Sequence, residues 1–176
     1  MNEQIMDSIQ IKKALARLSS EIIEAYDDFD SVVIIGIRTR GYYLAERLKK
    51  IIEDAENISL ISGAIDITFY RDDLSIKFSH PSVESTDIPV SLEGKKVILV
   101  DDVLYTGRTI RAAMDVIFDY GRPAEIKVVS LIDRPARREL PILSNFTGKS
   151  INLHSKDNVK LCLEEIDGED RVYTQK

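Results

Sequence analysis

Cysteine and histidine are scarce in this chain: among 176 residues there is one cysteine, Cys162, and two histidines, His80 and His154, far apart in sequence. A lone cysteine excludes an internal disulfide framework and fits a reducing compartment. Two distant histidines argue against a histidine-built metal cage and against a cysteine–histidine nucleophile pair. Long apolar runs are missing too. The N-terminus, MNEQIMDSIQIKKALARL, is polar and helical in pattern rather than a secretory signal, and no segment stays apolar long enough to span a bilayer. The expectation is a cytoplasmic protein with no membrane partner. Excess basic charge is also lacking. The formal net charge of −6 opposes a strong general attraction to nucleic acid, while leaving room for a local basic patch. No linker, repeat or low-complexity tract interrupts the chain, so a single domain over residues 1–176 is expected.

What is present suffices for a core. Hydrophobic residues make up 44% of the chain, and the charged 31% is mixed in sign, so the composition is that of a folded domain. In the first segment Ile11, Leu15, Leu18 and Ile22 share one stripe, with Lys12, Lys13 and Arg17 off it, as in an amphipathic helix. VVIIGI follows, a β-branched run of the kind buried on both faces of a parallel sheet. A helix is expected from about Gly41 to Asp54, with Leu44, Leu48, Ile51 and Ile52 inward, and ISLISGAIDITFY reads as a second strand region. From Arg71 to Glu93 the chain is polar and irregular; such a length without periodicity is unusual in a compact domain and often functional. KKVILV is a buried strand, followed by a helix from about Thr109 to Tyr120 that Gly121 and Pro123 close. EIKVVSLI is a further strand, and shorter elements, INLH, VKLCLEEI and RVYT, complete the chain. In VKLCLEEI the alternation of Val159, Leu161 and Leu163 predicts one buried face, and Cys162 reads as a packed side chain rather than a thiolate. Alternating strands and helices imply an α/β fold with a mainly parallel sheet, whose ligands collect at the carboxyl ends of the strands.

Two loops at such ends carry chemistry. KKVILV runs into Asp101-Asp102, and these carboxylates can accept hydrogen bonds from a sugar diol or contact a hydrated magnesium ion. The next residues, Leu104 to Thr109, are a different device. Gly107 permits close backbone approach, Tyr105 to Thr109 offer consecutive N–H groups, Thr106 and Thr109 add hydroxyls, and the loop opens a helix whose dipole favours an anion. The spacing matches neither GxxxxGK[ST] nor GxGxxG, which excludes a Walker-type nucleotidase and a Rossmann dehydrogenase. As a whole, Val97 to Thr109, VILVDDVLYTGRT, resembles the phosphoribosyl diphosphate motif of type I phosphoribosyltransferases. That resemblance implies that Asp101 and Asp102 act on the ribose, with Mg2+ reached through water and substrate, and that Val103, Leu104, Tyr105, Thr106, Gly107, Arg108 and Thr109 hold the phosphate.

The other loop follows VVIIGI, where Gly36, Arg38, Thr39, Arg40 and Gly41 stand at a helix start. Cations there oppose the helix dipole, which is less odd if an anion normally occupies the site. Beside the first motif, Thr39 and Arg40 are the expected diphosphate ligands. Tyr70-Arg71-Asp72-Asp73 opens the irregular stretch, read either as an exposed hairpin or as a lid. An oxocarbenium-like species must be kept from water, so a lid is expected, with Arg71 reaching the departing diphosphate.

With GIRTRG, YRDDLS, DDVLYTGRT and SLIDRPARRELP together, nearly the whole chain resembles the PyrR family, bacterial pyrimidine-operon regulators that are also uracil phosphoribosyltransferases. The resemblance implies a type I phosphoribosyltransferase fold with a long lid loop and a small hood from the chain ends. It implies reaction of uracil with phosphoribosyl diphosphate (PRPP) to give UMP and diphosphate, and a homodimer or larger homo-oligomer. The base is expected near Ile132, Asp133 and Arg134, although Asp133-Arg134-Pro135 taken alone is as readily a polar turn. RNA-binding members carry threonine and histidine where this chain has Ala16 and Ser20, and their DRGHRELP segment is DRPARRELP here. Arg17, Arg137, Arg138, Lys149, Lys156 and Lys160 remain as a candidate basic face for a pyrimidine-operon leader RNA, or as ordinary surface charge. A UMP-responsive RNA-binding regulator with vestigial activity and a purine-base transferase are the alternative readings.

Overall fold

The structure, a computed structural model, describes residues 3–70, 85–153 and 157–175. The chain begins with β1 (Gln4–Met6), α1 (Ser8–Ala25), β2 (Val32–Ile37), α2 (Arg40–Glu56) and β3 (Ile61–Ile65), then a 3-10 turn at Thr68–Tyr70. It continues through β4 (Lys96–Leu104), α3 (Arg108–Asp119), β5 (Glu125–Asp133), a 3-10 turn at Pro135–Arg137 and β6 (Phe146–Ser150). It ends with β7 (Asn158–Cys162), the single turn α4 (Glu164–Asp167) and β8 (Arg171–Gln175).

The central sheet has five strands in the order β3-β2-β4-β5-β6, and every neighbouring pair is parallel. Helices cover both faces, which is why its inner strands are apolar at consecutive positions. Val32 and Ile34 of β2, with Ile98 and Val100 of β4, join Leu18, Leu44 and Leu48 of α1 and α2 in one core. Val33 and Ile35, with Val97 and Leu99, join Ile110, Ala113 and Ile117 of α3 in the other. α1 starts with a capping box, in which Asp7 accepts from the Gln10 amide at 2.7 Å and the Gln10 side chain accepts from the Asp7 amide at 2.9 Å. Its stripe of Ile11, Leu15, Leu18 and Ile22 is buried as expected, each side chain contributing about 1.5–3 kcal/mol.

Two glycines bring α2 against the sheet. A Cβ on Gly36 would lie 2.3 Å from Tyr42 Cα, and one on Gly41 would lie 2.5 Å from the Val100 carbonyl oxygen. No side chain fits at either place, so the start of α2 rests directly on β2 and β4. The chain ends form the expected hood, a three-stranded antiparallel sheet in the order β1-β8-β7. Arg47 of α2 ties the hood down. Its Nε and Nη2 donate to Glu165 at 2.8 and 2.6 Å, and its Nη1 and Nη2 donate to Asp170 at 2.7 and 2.8 Å. Those bonds hold both carboxyls below the usual carboxylate range and raise the Arg47 guanidinium further.

Several local expectations are corrected. The helical reading of the N-terminus begins too early, because Gln4–Met6 is a strand paired with β8. Of ISLISGAIDITFY only Ile61–Ile65 is strand, and INLH is not one over its described residues; the edge strand is FTGKS, one step earlier. β4 does not stop at Val100 but carries Asp101 to Leu104 within it.

Candidate active site

Because β4 continues past Val100, its acidic pair is held by sheet register rather than by a loop: Asp101 pairs with Ser130, and Val103 and Leu104 pair with Ile132 and Asp133. Asp101 is 5% exposed, and one of its carboxylate oxygens accepts the Asp102 amide at 3.0 Å. Burial, reinforced by the neighbouring Asp102, pushes its carboxyl well above the usual range. Burial also raises Asp102, against the opposing pull of the Val103 amide, 2.8 Å away, and of the Arg40 cation. Carboxylates desolvated in this way gain from hydroxyl donors or from a cation. Among the described residues no group of three or more acidic, histidine or cysteine side chains forms a metal cage. The hard oxygen pair fits a magnesium ion that keeps water and substrate oxygens as its ligands, with Asp101 and Asp102 behind them.

The loop expected to hold phosphate is Tyr105–Gly107, and α3 begins at Arg108, one residue before the expected start. Gly107 adopts a φ of 93°, open to glycine and unfavourable to other residues. The far side of the loop is clamped. The Thr106 carbonyl accepts the Glu139 and Leu140 amides at 3.0 and 3.2 Å, and the Arg138 guanidinium bonds both the Tyr105 carbonyl and the Asp133 carboxylate. Thr106 Oγ accepts the Arg108 amide at 3.3 Å, while Arg108 Nε donates to Glu139 at 2.8 Å. Leu104 is only 1% exposed, so its side chain belongs to the core rather than to the phosphate cradle.

Opposite lies the loop between β2 and α2. The Arg38 amide donates to Ile65 at 2.8 Å, its guanidinium lies 5.1 Å from the Tyr42 ring centroid, and the Arg38–Thr39 peptide is cis. Thr39 caps α2 without a side-chain hydrogen bond, and Arg40 Nη2 donates to both carboxylate oxygens of Asp167 at 3.0 Å. A cleft of about 250 Å³ lies between the start of α2 and the end of β4; Thr39, Arg40, Asp101, Asp102, Val103 and Thr109 line it, while Leu104–Arg108 do not. Asp66 and Thr68 line it too, and sequence reasoning missed them. Asp66 Oδ1 accepts the Thr68 amide at 2.8 Å and the Thr68 hydroxyl at 2.5 Å. The available signal was their place just beyond a parallel strand's carboxyl end.

The residues expected around the base lie differently. Ile132 has 0% exposure and packs in the core, and Asp133 is ion-paired with Arg138. Arg134 is 4% exposed, its guanidinium 4.4 Å from the Tyr105 ring centroid. Its Nε and Nη2 are buried without a hydrogen-bond partner among the described residues. These two atoms form one edge of the guanidinium, a pair of parallel donors. None of the three lines the 250 Å³ cleft.

The family model of the phosphoribosyl transferase domain matches residues 1–165. A "Bifunctional protein pyrR" of Enterococcus faecalis is 47% identical over 174 residues, 99% of this chain and 97% of the relative. The "Bifunctional protein PyrR" of Listeria monocytogenes is 50% identical over 169 residues, 94% of this chain and 92% of the relative. The chain belongs to the phosphoribosyl transferase family, among the PyrR proteins. Solved structures agree on the fold of this PyrR-family chain. A hypoxanthine-guanine phosphoribosyltransferase from Bacillus anthracis superposes with a TM-score of 0.76 at 18% identity, covering 99% of this chain and 98% of that one. The hypoxanthine phosphoribosyltransferase of Trypanosoma cruzi gives 0.74 at 18% identity, covering 98% and 95%. At such identities the likeness speaks for the fold alone.

Within this PyrR-family fold the expected basic face is largely engaged elsewhere. Arg17 bonds Glu21 and donates to the Thr147 and Gly148 carbonyls at 3.0 and 2.6 Å. Lys149 donates to the Ile5 carbonyl at 2.8 Å, and Arg138 clamps the phosphate loop. Arg137 is half-buried beside it and Lys160 is exposed. Arg71, on the expected lid, and Lys156 lie outside the described residues, as do His80 and His154. No helix among the described residues is long and apolar enough to cross a membrane.

Proposed function

We propose that this chain is a cytoplasmic uracil phosphoribosyltransferase of the pyrimidine-operon regulator type, joining uracil to PRPP to form UMP and diphosphate. The observation that carries the reading is the single cleft into which β4 delivers Asp101 and Asp102, α3 delivers Thr109, and the start of α2 delivers Thr39 and Arg40. Membership of the PyrR group, together with the loops that resemble it, supports uracil as the acceptor.

The chemistry needs no covalent catalyst. As the bond from C1 of the ribose to the diphosphate oxygen breaks, N1 of uracil bonds to C1 and the N1 proton is released. Asp101 and Asp102 accept hydrogen bonds from the ribose hydroxyls and stabilise positive charge spreading over the ring. The amides of Tyr105–Thr109 and the α3 dipole hold the 5′-phosphate, while Thr39 and Arg40 hold the leaving diphosphate. A bound magnesium ion would neutralise diphosphate charge, with Asp101 and Asp102 reaching it through water. Arg71 is proposed to add charge from the lid, and Arg134 to point its free donor edge at a carbonyl oxygen of the base. A steady-state assay with uracil, cytosine, hypoxanthine and guanine tests the assignment. Turnover with uracil is expected; activity with hypoxanthine and none with uracil would overturn it.

A regulatory reading has its own observation: Arg17 of α1 bonds the Gly148 carbonyl of β6, and Lys149 of β6 bonds the Ile5 carbonyl of β1, so both cations stand at the β6 edge of the central sheet. We propose that this edge, with Arg137 and Lys156, contacts a pyrimidine-operon leader RNA in a UMP-dependent way. Titrating that RNA with and without UMP is expected to give tighter binding with UMP; no binding in either state would remove the regulatory role.

A further inference from the structure

Arg40 stands at the first position of α2, whose first turn contains no acidic residue. A cation there opposes the helix dipole, and a free arginine would sample many rotamers. The compensation comes from far along the chain. Asp167, the last residue of α4 in the hood, receives Arg40 Nη2 on both carboxylate oxygens at 3.0 Å. The side chains are 27% and 20% exposed, so the pair is partly buried and still reached by water.

Asp167 is itself fixed. Its Oδ2 accepts the amide of Leu163 at 3.0 Å, its own amide donates to the Leu163 carbonyl at 2.7 Å, and Leu163 is fully buried. The hood carrying it is held to α2 by the four bonds from Arg47. A rigid acceptor therefore stands on one side of Arg40 and the cleft on the other, and Arg40 Nε is buried without a hydrogen-bond partner among the described residues.

We propose that Asp167 is a positioning residue: it holds the Arg40 guanidinium against the start of α2 in the orientation that receives the diphosphate of PRPP. Asp167 thereby sets the affinity of the PRPP site through Arg40 rather than by a contact of its own. The inference rests on the transferase reading, and direct binding separates the two. If the wild-type protein with magnesium fails to bind PRPP in a calorimetric titration, the transferase reading falls.

Given wild-type binding, Asp167→Asn is expected to raise both Kd and KM for PRPP on the order of 5–10-fold, within the range of one ordinary hydrogen bond. KM for uracil and the melting temperature should stay near wild type. Asp167→Glu, which restores the charge on a longer arm, should recover part of the loss and serves as the second variant if the asparagine form folds poorly. In an Arg40→Gln background, Asp167→Asn should add nothing. Wild-type PRPP affinity in Asp167→Asn would overturn the proposal. So would additive effects of the two substitutions, or a parallel rise in KM for both substrates alongside a lower melting temperature.

Discussion

Gly41→Ala is the sharpest probe of how this fold places its site. The added Cβ would lie 2.5 Å from the Val100 carbonyl oxygen and 3.2 Å from Asp101 Cα. Neither neighbour can swing aside, since β4 is a central strand bonded to β2 and β5. The start of α2 must therefore retreat by roughly 0.9 Å or more to reach ordinary contact, and it carries Thr39 and Arg40 away from Asp101. In a free helix this substitution would stabilise by about 1 kcal/mol. Here overpacking at about 1–3 kcal/mol opposes that gain, so the net stability loss is about 0–2 kcal/mol. For a chain of this size that lowers Tm by up to roughly 8 °C. The kinetic loss should be larger in proportion: displacing the proposed diphosphate loop by most of an ångström is expected to reduce kcat/KM on the order of 100-fold. Gly94→Ala is the control. Gly94 has a φ of 68°, and an added Cβ there would meet nothing within 4 Å, so this variant should lose about 1 kcal/mol through strain alone and keep its kinetics. Melting curves and steady-state rates for both variants decide the matter. Wild-type kcat/KM in Gly41→Ala would refute the claim that this contact positions the diphosphate loop.

Asp101→Asn should abolish most turnover while raising Tm. The folded-state pKa of Asp101 lies above its unfolded value, so ionising it at neutral pH works against folding; the neutral isostere removes that penalty, and the gain should vanish on acidification below the unfolded pKa. Unchanged or lower Tm at pH 7 would contradict the burial argument. Arg47→Ala should destabilise by about 2–3 kcal/mol in denaturant unfolding, between the limits for exposed and buried pairs, because it strands Asp170, whose side chain is 6% exposed. Glu165 and Asp170 have lowered folded pKa values, so their contribution is present above the unfolded carboxylate range and lost as pH falls through the folded values. The gap between wild type and Arg47→Ala should therefore close in acid; a gap constant with pH would argue against ion pairing. Cys162, 5% exposed, should resist thiol reagents until the protein is unfolded, and fast labelling of the native state would show that the hood opens.

Elements with local and strong signals were legible in the residues themselves. VVIIGI is buried on both faces, so its apolar run is continuous, and the stripe of α1 follows the helical period. β6 was not legible: Phe146 is its one buried residue, FTGKS has no apolar alternation, and it bonds the sheet along one edge. What identifies it is a contact, since a Cβ on Gly148 would meet the Leu131 carbonyl oxygen at 2.4 Å. β1 was hidden for a similar reason, being three residues whose partner, β8, is at the opposite end of the chain.

The candidate site divides along the same line. Its backbone devices are local: a glycine in a phosphate loop and an acidic pair at a strand end announce themselves within a dozen residues. The side chains that hold those devices are not local. Arg138, read as part of a candidate RNA-binding face or as surface charge, reaches back to the Tyr105 carbonyl; Asp167, unremarked, reaches Arg40 across 127 positions. Arginine makes such distant supports easy to misread, since its long stem lets one residue serve solvent, a carbonyl or a carboxylate with no change in the local pattern. An arginine near a phosphate loop is therefore weak evidence for a ligand contact until its acceptor is known. By that test Arg138 is support and Arg40 is supported. Arg134, buried with a free donor edge beside Tyr105, is the arginine whose acceptor the base assay should find.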